Sequence, residues 1–428
     1  MKPISPEAIR TAIAAQRPVV ESLFDRLAEG SRAEPGIMRD TYGAGENFAH
    51  ELIASHGADE GLQIRRDAAA NTYLTWPGSE QGAPRILLGS HLDSVPHGGN
   101  FDGAAGVVAG LTVIAAMKAL GLRPRCDITV MGVRAEESVW FEVSYIGSRS
   151  ALGTLPNGAL DAKRIDTGRD LASHIAACGG DVEALRHGRR ELDPATIRAF
   201  LEVHIEQAPS LVEASLPLAI CSGIPGNFRY PNARINGRHD HVGTPRRFRR
   251  DAAMAGAELA MALDRLWAEQ EATGIPLAIT FGRFHTDPTM HGLTTVPGAF
   301  DFSLDVRAYD PAVLSHLEER MLAIVSEIEA RRHVSFALGP RASASVGMVD
   351  PAIASQLQAA AQSLGLPGTM MGSPASHDAA AFAAAGVPVG MIFVRNENGS
   401  HNPHEEMEID DFLDACAVLT SWVADQAA

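Results

Sequence analysis

Cysteine is scarce in this chain. There are 4 in 428 residues, Cys126, Cys178, Cys221 and Cys416, widely spaced and without a CxxC pair. That pattern gives no disulfide framework and fits free, mostly buried thiols of a reducing compartment. Long apolar runs are missing as well: none approaches the ~18 residues needed to span a bilayer. The opening residues, Met1-Lys2-Pro3-Ile4-Ser5-Pro6, lack the apolar core of a signal peptide. Cytoplasm is the default expectation. Positive charge is in deficit, with Lys+Arg 36 against Asp+Glu 52 and a formal net charge of -16. Such a balance argues against nucleic acid or an anionic membrane as a partner. Short repeats and low-complexity linkers are also lacking.

What is present is a hydrophobic content of 46%, ample for large cores, in a length that suggests two or three domains. Residues 5–60 are mostly helical in pattern. Strands then alternate with helices. Ile86-Leu87-Leu88, Ile128–Val133 and Ala199–Ile205 read as buried strands, and Asp102–Leu120 as a helix apolar nearly all round, with Gly106 and Gly110 on one face for close packing. The alternation implies a largely parallel sheet with helices on both faces. Near residue 213 the character changes: Leu216–Gly223, Phe228–Ile235, Leu277–Arg283 and Phe300–Ala308 read as hairpin-like strands, with long helices near 251–273 and 311–331. After about residue 335 the alternation resumes, with helix Ala352–Leu364, strand Pro388–Val394 and closing helix Asp410–Asp425. The expectation is an α/β catalytic domain in two pieces, 1–212 and 333–428, around an inserted α+β domain, 213–332.

Reactive groups in open α/β sheets lie outside the carboxyl ends of strands. His91-Leu92-Asp93, Asp102 and the pair Glu136-Glu137 all stand there, as do His204 in Glu202-Val203-His204-Ile205-Glu206-Gln207 and His401 in Ser400-His401-Asn402-Pro403-His404-Glu405. One histidine at a strand end is usually structural. Five groups of ligand type at such positions, His91, Asp102, Glu137, His204 and His401, point to a dinuclear site, in which one carboxylate usually bridges two ions roughly 3.5–4 Å apart. Imidazoles with shared carboxylates suit Zn²⁺, with Mn²⁺, Co²⁺ or Ni²⁺ as substitutes. Asp93 shares a strand face with His91, so its carboxylate can accept the other ring N–H and fix the tautomer. If the chain is still extended at Glu136 and Glu137 their side chains diverge, one toward metal and one toward water as general base. His404 is a rival ligand to His401. His97 and His239 read as loop histidines, and Arg246, Arg247, Arg249 and Arg250 as a solvated basic face, with binding of an acidic substrate group as the alternative.

These residues, with Gly89-Ser90-His91-Leu92-Asp93-Ser94-Val95-Pro96, Gly98-Gly99-Asn100-Phe101-Asp102-Gly103 and Gly147-Ser148-Arg149, resemble the amidase, hydantoinase/carbamoylase family. That family is a branch of the dinuclear zinc aminoacylase/carboxypeptidase superfamily. The resemblance implies a zinc aminopeptidase-like catalytic domain with a lid and dimerisation insert. It implies that His91, Asp102 and His204 bind one metal and that Asp102, Glu137 and His401 bind the other, Asp102 bridging, with Glu136 as general base. His241, in Asp240-His241-Val242-Gly243-Thr244-Pro245, resembles a histidine that reaches the partner subunit's site in a homodimer and stabilises the oxyanion. Arg307 resembles the family's substrate-carboxylate arginine, His377-Asp378-Ala379 its Gly-His-Asp-Ala segment near the substrate. Gln207 counts among the expected substrate contacts.

Departures from the family pattern cluster away from the metal ligands. Thr294 stands where the family has a substrate-holding asparagine, Ser138 and Trp140 follow the glutamates where glycine and arginine are usual, and the His241 loop is one residue shorter. All could touch substrate choice. The implied reaction is hydrolysis of a linear C–N bond, of an N-carbamoyl or ureido group on a small amino-acid-like substrate, releasing ammonia and CO₂. An aminoacylase or dipeptidase with the same site is the rival within enzymes; a non-catalytic binding protein on this scaffold is the rival outside them.

Overall fold

A computed structural model describes residues 4–427; Met1–Pro3 and Ala428, the tips of the expected catalytic pieces, lie outside the described residues. The chain divides into two compact units, one formed by Met1–Ile224 with Met348–Ala428 and the other by Pro225–Gly347. In chain order the strands are β1 (Gln63–Arg66), β2 (Thr72–Trp76), β3 (Arg85–His91), β4 (Ile128–Val133), β5 (Ile197–Ile205) and β6 (Leu218–Gly223), then β7 (Gly226–Asn236), β8 (Asp240–His241), β9 (Leu277–Thr286), β10 (Thr295–Val296), β11 (Ala299–Ala308), β12 (Ser335–Ala337) and β13 (Ala342–Ala344), and finally β14 (Met370–Gly372) and β15 (Val389–Val394).

The first unit is built on an eight-stranded sheet ordered β1-β2-β4-β3-β5-β15-β6-β14. Its centre is parallel, β4 and β5 flanking β3 and β15 beside β5. The joints β1–β2, β2–β4 and β15–β6 are antiparallel, and the edge strand β14 is parallel to β6, so the sheet is mixed. The inner strands β3, β4, β5 and β15 are buried almost throughout, as continuous apolar runs covered on both faces must be. Helix Ala104–Ala119 is buried nearly all round. A Cβ on its Gly106 would meet the Val203 carbonyl oxygen at 2.5 Å and Ser90 Cβ at 2.6 Å, and one on Gly110 would meet Val130 Cγ2 at 2.9 Å. The helix backbone therefore lies flush on β3, β4 and β5, as the two glycines on one face suggested.

The second unit holds an antiparallel sheet ordered β12-β7-β11-β9, with β13 also on β7, and a separate ribbon of β8 and β10. Alternate residues of β11, Phe300, Phe302, Leu304, Val306 and Ala308, are buried with Leu259, Leu263, Leu317 and Met321 of helices Ala252–Glu271 and Pro311–Arg332. Asp251 and Asp310 cap the two helices, accepting from Met254 N at 3.0 Å and Ala312 N at 2.7 Å.

The unit boundaries fall later than the expected 212/213 and 332/333. Leu216–Gly223 was read with the hairpin-like strands of the insert, yet as β6 (Leu218–Gly223) it pairs with β15 and β14 in the first sheet. Residues 335–347 were read as a resumption of the catalytic domain, yet β12 and β13 pair with β7. Short strands carry no signal of which sheet they join; only their partners decide that.

The close seating of helix Ala104–Ala119 is testable. Gly106→Ala forces its methyl group against backbone, and overpacking of this kind costs roughly 1–3 kcal/mol. The melting temperature of the metal-loaded protein should fall. A variant that melts with the parent would show that the helix does not sit so close.

Candidate metal centre

Three strand ends and two loops build the cluster. β3 delivers His91, β5 delivers His204, and the loop Gly99–Gly103 brings Asp102 between them. Gly103 has φ +67 and starts the helix behind; a Cβ there would meet the His91 ring at 2.5 Å, so the residue after Asp102 has to be glycine on both counts. β4 ends at Val133, and Ala135 turns left-handed with φ 58 before Glu136-Glu137. The chain is no longer extended there, so this turn and not strand alternation sets the directions of the two glutamates. His401, φ 60, comes from the loop after β15.

Asp102 is the common partner. Its Oδ1 lies 3.4 Å from His91 Nε2 and 3.2 Å from His204 Nε2. Its Oδ2 lies 3.4 Å from His401 Nε2, which in turn is 3.3 Å from Glu137 Oε1. His91, Asp102 and His204 form one group able to hold an ion, and Asp102, Glu137 and His401 another. A third comprises Glu202, His204 and His377, the last two with ring centroids 4.3 Å apart.

The hydrogen bonds fix which ring nitrogens are bare. His91 Nδ1 lies 3.0 Å from the Asp93 carbonyl oxygen, and His204 Nδ1 lies 2.8 Å from that of Ile205. A carbonyl only accepts, so both rings carry a proton on Nδ1 and, as the neutral imidazoles that bind metal, turn the Nε2 lone pair toward Asp102. Asp102 Oδ1 and His204 Nε2 are buried without a hydrogen-bond partner among the described residues. Lone pairs facing one another at this range repel unless a cation stands between them. The donor set therefore fits a divalent ion, and the orphaned atoms are where it would bind. His401 is half exposed, unlike its partners, and marks the solvent side of the cluster.

The support differs in detail from the expectation. The other ring nitrogen of His91 is satisfied by the Asp93 carbonyl, with the carboxylate further off at 3.4 Å. That carboxylate instead accepts from the backbone N–H of Glu136 at 3.0 Å and of Glu137 at 3.2 Å, and from Thr41 Oγ1 at 2.5 Å. Asp93 thus positions the glutamate turn. Gln207, expected at the substrate, donates its amide to Asp102 Oδ2 at 2.7 Å, and Ser400 Oγ lies 2.6 Å from the same oxygen. Trp140, expected to bear on substrate choice, is buried in a satellite core with Phe141 and Ile146, its indole N–H donated to the Ser94 carbonyl at 2.9 Å and the Arg164 guanidinium stacked 4.5 Å over its ring. His377 is buried, with Nε2 2.9 Å from Ser373 Oγ. His404 is exposed and belongs to none of the ion-holding groups among the described residues, which favours His401. His97 is an exposed loop residue bonded to the Pro35 carbonyl.

Three charged groups hold these loops, two of them, Arg39 and Glu46, without any sequence signal and the third, Glu405, at the end of the His401 motif. Arg39, fully buried, donates to the carbonyls of Leu92, Asn100 and Asp102, tying the β3 loop to the Asp102 loop. Glu46 accepts from Ala135 N at 2.9 Å and pairs with buried Arg134 at 3.1 Å; burial pushes its carboxyl up to about 7 against the pull of Arg134. Glu405 accepts from the backbone N–H of Phe101 and Asp102, and burial, with Asp102 close by, lifts it to about 7. Glu136 is held well above the ordinary carboxylate range, first by burial and then by Glu137, Asp378 and Asp93, with His91 working against them. Asp378, which accepts from Ser148 Oγ at 2.7 Å, is lifted to about 8 by burial and Glu202.

The remaining expected residues lie in the second unit. His241 is exposed and pairs with Thr295 across the β8–β10 ribbon, and Thr294 accepts from Val242 N at 2.8 Å. Arg307 is half-buried on β11 and shares the Asp305 carboxylate with Arg229. His239 accepts at Nδ1 from Gly298 N.

Comparison with known proteins gives one answer. The pattern of peptidase family M20/M25/M40 matches residues 87–425. The chain is 33% identical to an N-carbamoyl-L-amino acid amidohydrolase of Geobacillus stearothermophilus over 94% of its own length and 98% of that protein's. It is 27% identical to a ureidoglycolate hydrolase of Arabidopsis thaliana, covering 97% of this chain and 88% of that one. A solved hydantoinase/carbamoylase family amidase from Burkholderia ambifaria superposes with a TM-score of 0.80 at 27% identity, over 95% of this chain and 96% of that one. The matched span takes in every residue of the cluster from His91 to His401, and the chain accordingly belongs to peptidase family M20/M25/M40, a metal-dependent family.

Proposed function

We propose that this chain is a dinuclear metal-dependent amidohydrolase that cleaves a linear C–N bond, that of an N-carbamoyl or ureido group on a small amino-acid-like substrate. The observation that carries the reading is the joining of two three-residue groups through the single carboxylate of Asp102, with bare Nε2 lone pairs aimed at it. His91 and His204 would hold one ion and Glu137 and His401 the other, Asp102 bridging. Two divalent ions, zinc best suiting these donors and manganese, cobalt or nickel able to replace it, would polarise the substrate carbonyl and acidify the attacking water.

Glu136 is the proton carrier. Its raised affinity for a proton suits a group that takes one from water and then gives it to the leaving nitrogen. The turn fixed by Asp93 and Glu46 holds Glu136 and Glu137 in their separate roles. Hydrolysis of a carbamoyl group by one water gives the free amine, ammonia and CO₂. Arg307 is assigned to the substrate carboxylate, and Gln207, Thr294 and His377 to the rest of the substrate.

The working form is a homodimer in which His241 reaches the partner's site and steadies the oxyanion. In support, β9 is an edge strand, paired only with β11 among the described residues, and Phe284 on it and Met261 on helix Ala252–Glu271 are exposed. An open edge with apolar side chains is a natural seat for a second copy. The four free thiols fit a cytoplasmic setting.

Metal-reconstituted protein should release ammonia from N-carbamoyl or ureido acids and none from simple N-acyl amino acids. Acyl cleavage without ammonia would move the assignment to an aminoacylase. Glu136→Gln should lower turnover by about 10²–10⁴-fold with metal content unchanged; wild-type turnover would remove Glu136 from its role.

Asp102→Ala takes away the shared ligand, so both ions should weaken together. Elemental analysis after dialysis reads this directly, and retention of two ions per chain would show that Asp102 is not the bridge.

Mixing His241→Ala with Glu136→Gln and allowing subunit exchange makes about half the dimers mixed, each with one complete site, so activity should return to roughly a quarter of wild type. No recovery after exchange is confirmed by mass spectrometry would confine His241 to its own chain or remove it from catalysis.

A further inference from the structure

A dense group of positive charge lies within the second unit, which contributes no residue to the metal cluster. A pocket of about 1020 Å³ is lined by Arg246, Arg247, Arg249, Arg331 and Arg332, with Asp251 the one carboxylate on its wall. Arg331 and Arg332 share the carboxylate of nearby Glu258. Asp251 is engaged in capping, accepting from Met254 N at 3.0 Å. Set against Asp251 and Glu258, the five guanidinium groups leave three positive charges unmatched, in a chain whose formal net charge is -16.

Local structure explains only part of this. Arg331 and Arg332 end helix Pro311–Arg332, where cations oppose the negative end of the helix dipole. Arg249 donates to the carbonyls of Val242 and Thr244 and braces the loop that follows His241. Arg246 and Arg247 do neither. Both are exposed, no carboxylate pairs with either among the described residues, and Arg247 lies 4.5 Å over the Phe248 ring. A solvated basic face spreads its charges apart. Here they converge on one concavity, where like charges repel unless an anion joins them.

We propose that this pocket binds a small multivalent oxyanion, a group with two or more negative charges whose oxygens accept the forked N–H groups of Arg246 and Arg247. The anion would rest on the loop that Arg249 braces, and so stiffen the segment that carries His241. The same chemistry could come from an acidic side chain of the substrate or from a separate effector. Binding itself does not depend on what reaction the metal site performs.

Sulfate is the probe, titrated calorimetrically into the metal-loaded protein at constant ionic strength with chloride as the balancing anion. Saturable binding of one sulfate per chain is expected, at least about tenfold weaker in R246A/R247A, which loses two charge-assisted partners. R246K/R247K, which keeps charge but loses the fork, should fall between. Circular dichroism confirms that these exposed positions leave the fold intact. Sulfate taken up at the metals would bind the double variant as well as the parent, and that result, or no saturable binding at all, overturns the proposal. The source is then read from kinetics. A higher KM confined to substrates with an acidic side chain identifies the substrate as the anion, whereas loss of a sulfate effect on turnover of every substrate identifies an effector.

Discussion

The carboxylate of Asp102 faces three imidazoles at 3.2–3.4 Å, and one of these, the His401 ring, also faces the Glu137 carboxylate at 3.3 Å, distances at which lone pairs repel and protons or cations attract. Two of those rings donate Nδ1–H to backbone carbonyls and, when neutral, have no other proton to give. With both rings neutral, Oδ1 of Asp102 has no hydrogen-bond partner among the described residues. Strand ends, loops and buried counter-charges are all arranged so that this unsatisfied geometry is kept. Removing one partner of a buried charge pair costs roughly 3–5 kcal/mol, so such geometry persists only where the surroundings hold every piece of it.

Those surroundings are largely polar and largely hidden. Arg39 joins two loops through three carbonyls, Asp93 joins a third segment through two backbone N–H groups, and Glu46 with Arg134 fixes the left-handed turn at Ala135. Each is a fully buried charge, and the partners of Arg39, Asp93 and Glu46 are mostly backbone. Backbone partners bring position without a matching side chain, so loops stitched in this way can be rigid while their sequences stay irregular. The left-handed Ala135 is the clearest instance: alanine has no preference for that region, and three hydrogen-bonding neighbours impose it.

How much of this was legible in the sequence follows from the range of each interaction. Buried strands announce themselves by apolar runs, and the candidate ligands sit at the ends of those runs or in the loops after them, so His91, Asp102, Glu137, His204 and His401 could be chosen as a set before any contact was known. The close seating of Gly106 and Gly110 was visible as helical spacing. Partners remote in sequence were not visible. Arg39 lies 53 residues from Leu92, and nothing local sets it apart from a surface arginine. Membership of β6, β12 and β13 in one sheet or the other depended on pairings across a domain insertion. Asp93 was picked as a helper of His91 by strand alternation, but its carboxylate turns to the glutamates, because the adjacent carbonyl already serves the ring.

The departures from the family pattern divide along the same line. Trp140 was expected to bear on substrate choice as a departure from the family pattern, yet its indole is buried and bonded to the Ser94 carbonyl. A large aromatic there fills space that supports the turn, and its effect on substrate would run through the position of Glu136. Thr294 is different: exposed, on the ribbon that carries His241, it has no core to serve. A hydroxyl in place of an amide changes what can be hydrogen-bonded without changing what is packed. The candidate metal centre thus lies among interlocked buried charges, while the exposed ribbon and the arginine pocket beside its loop contribute none of its residues.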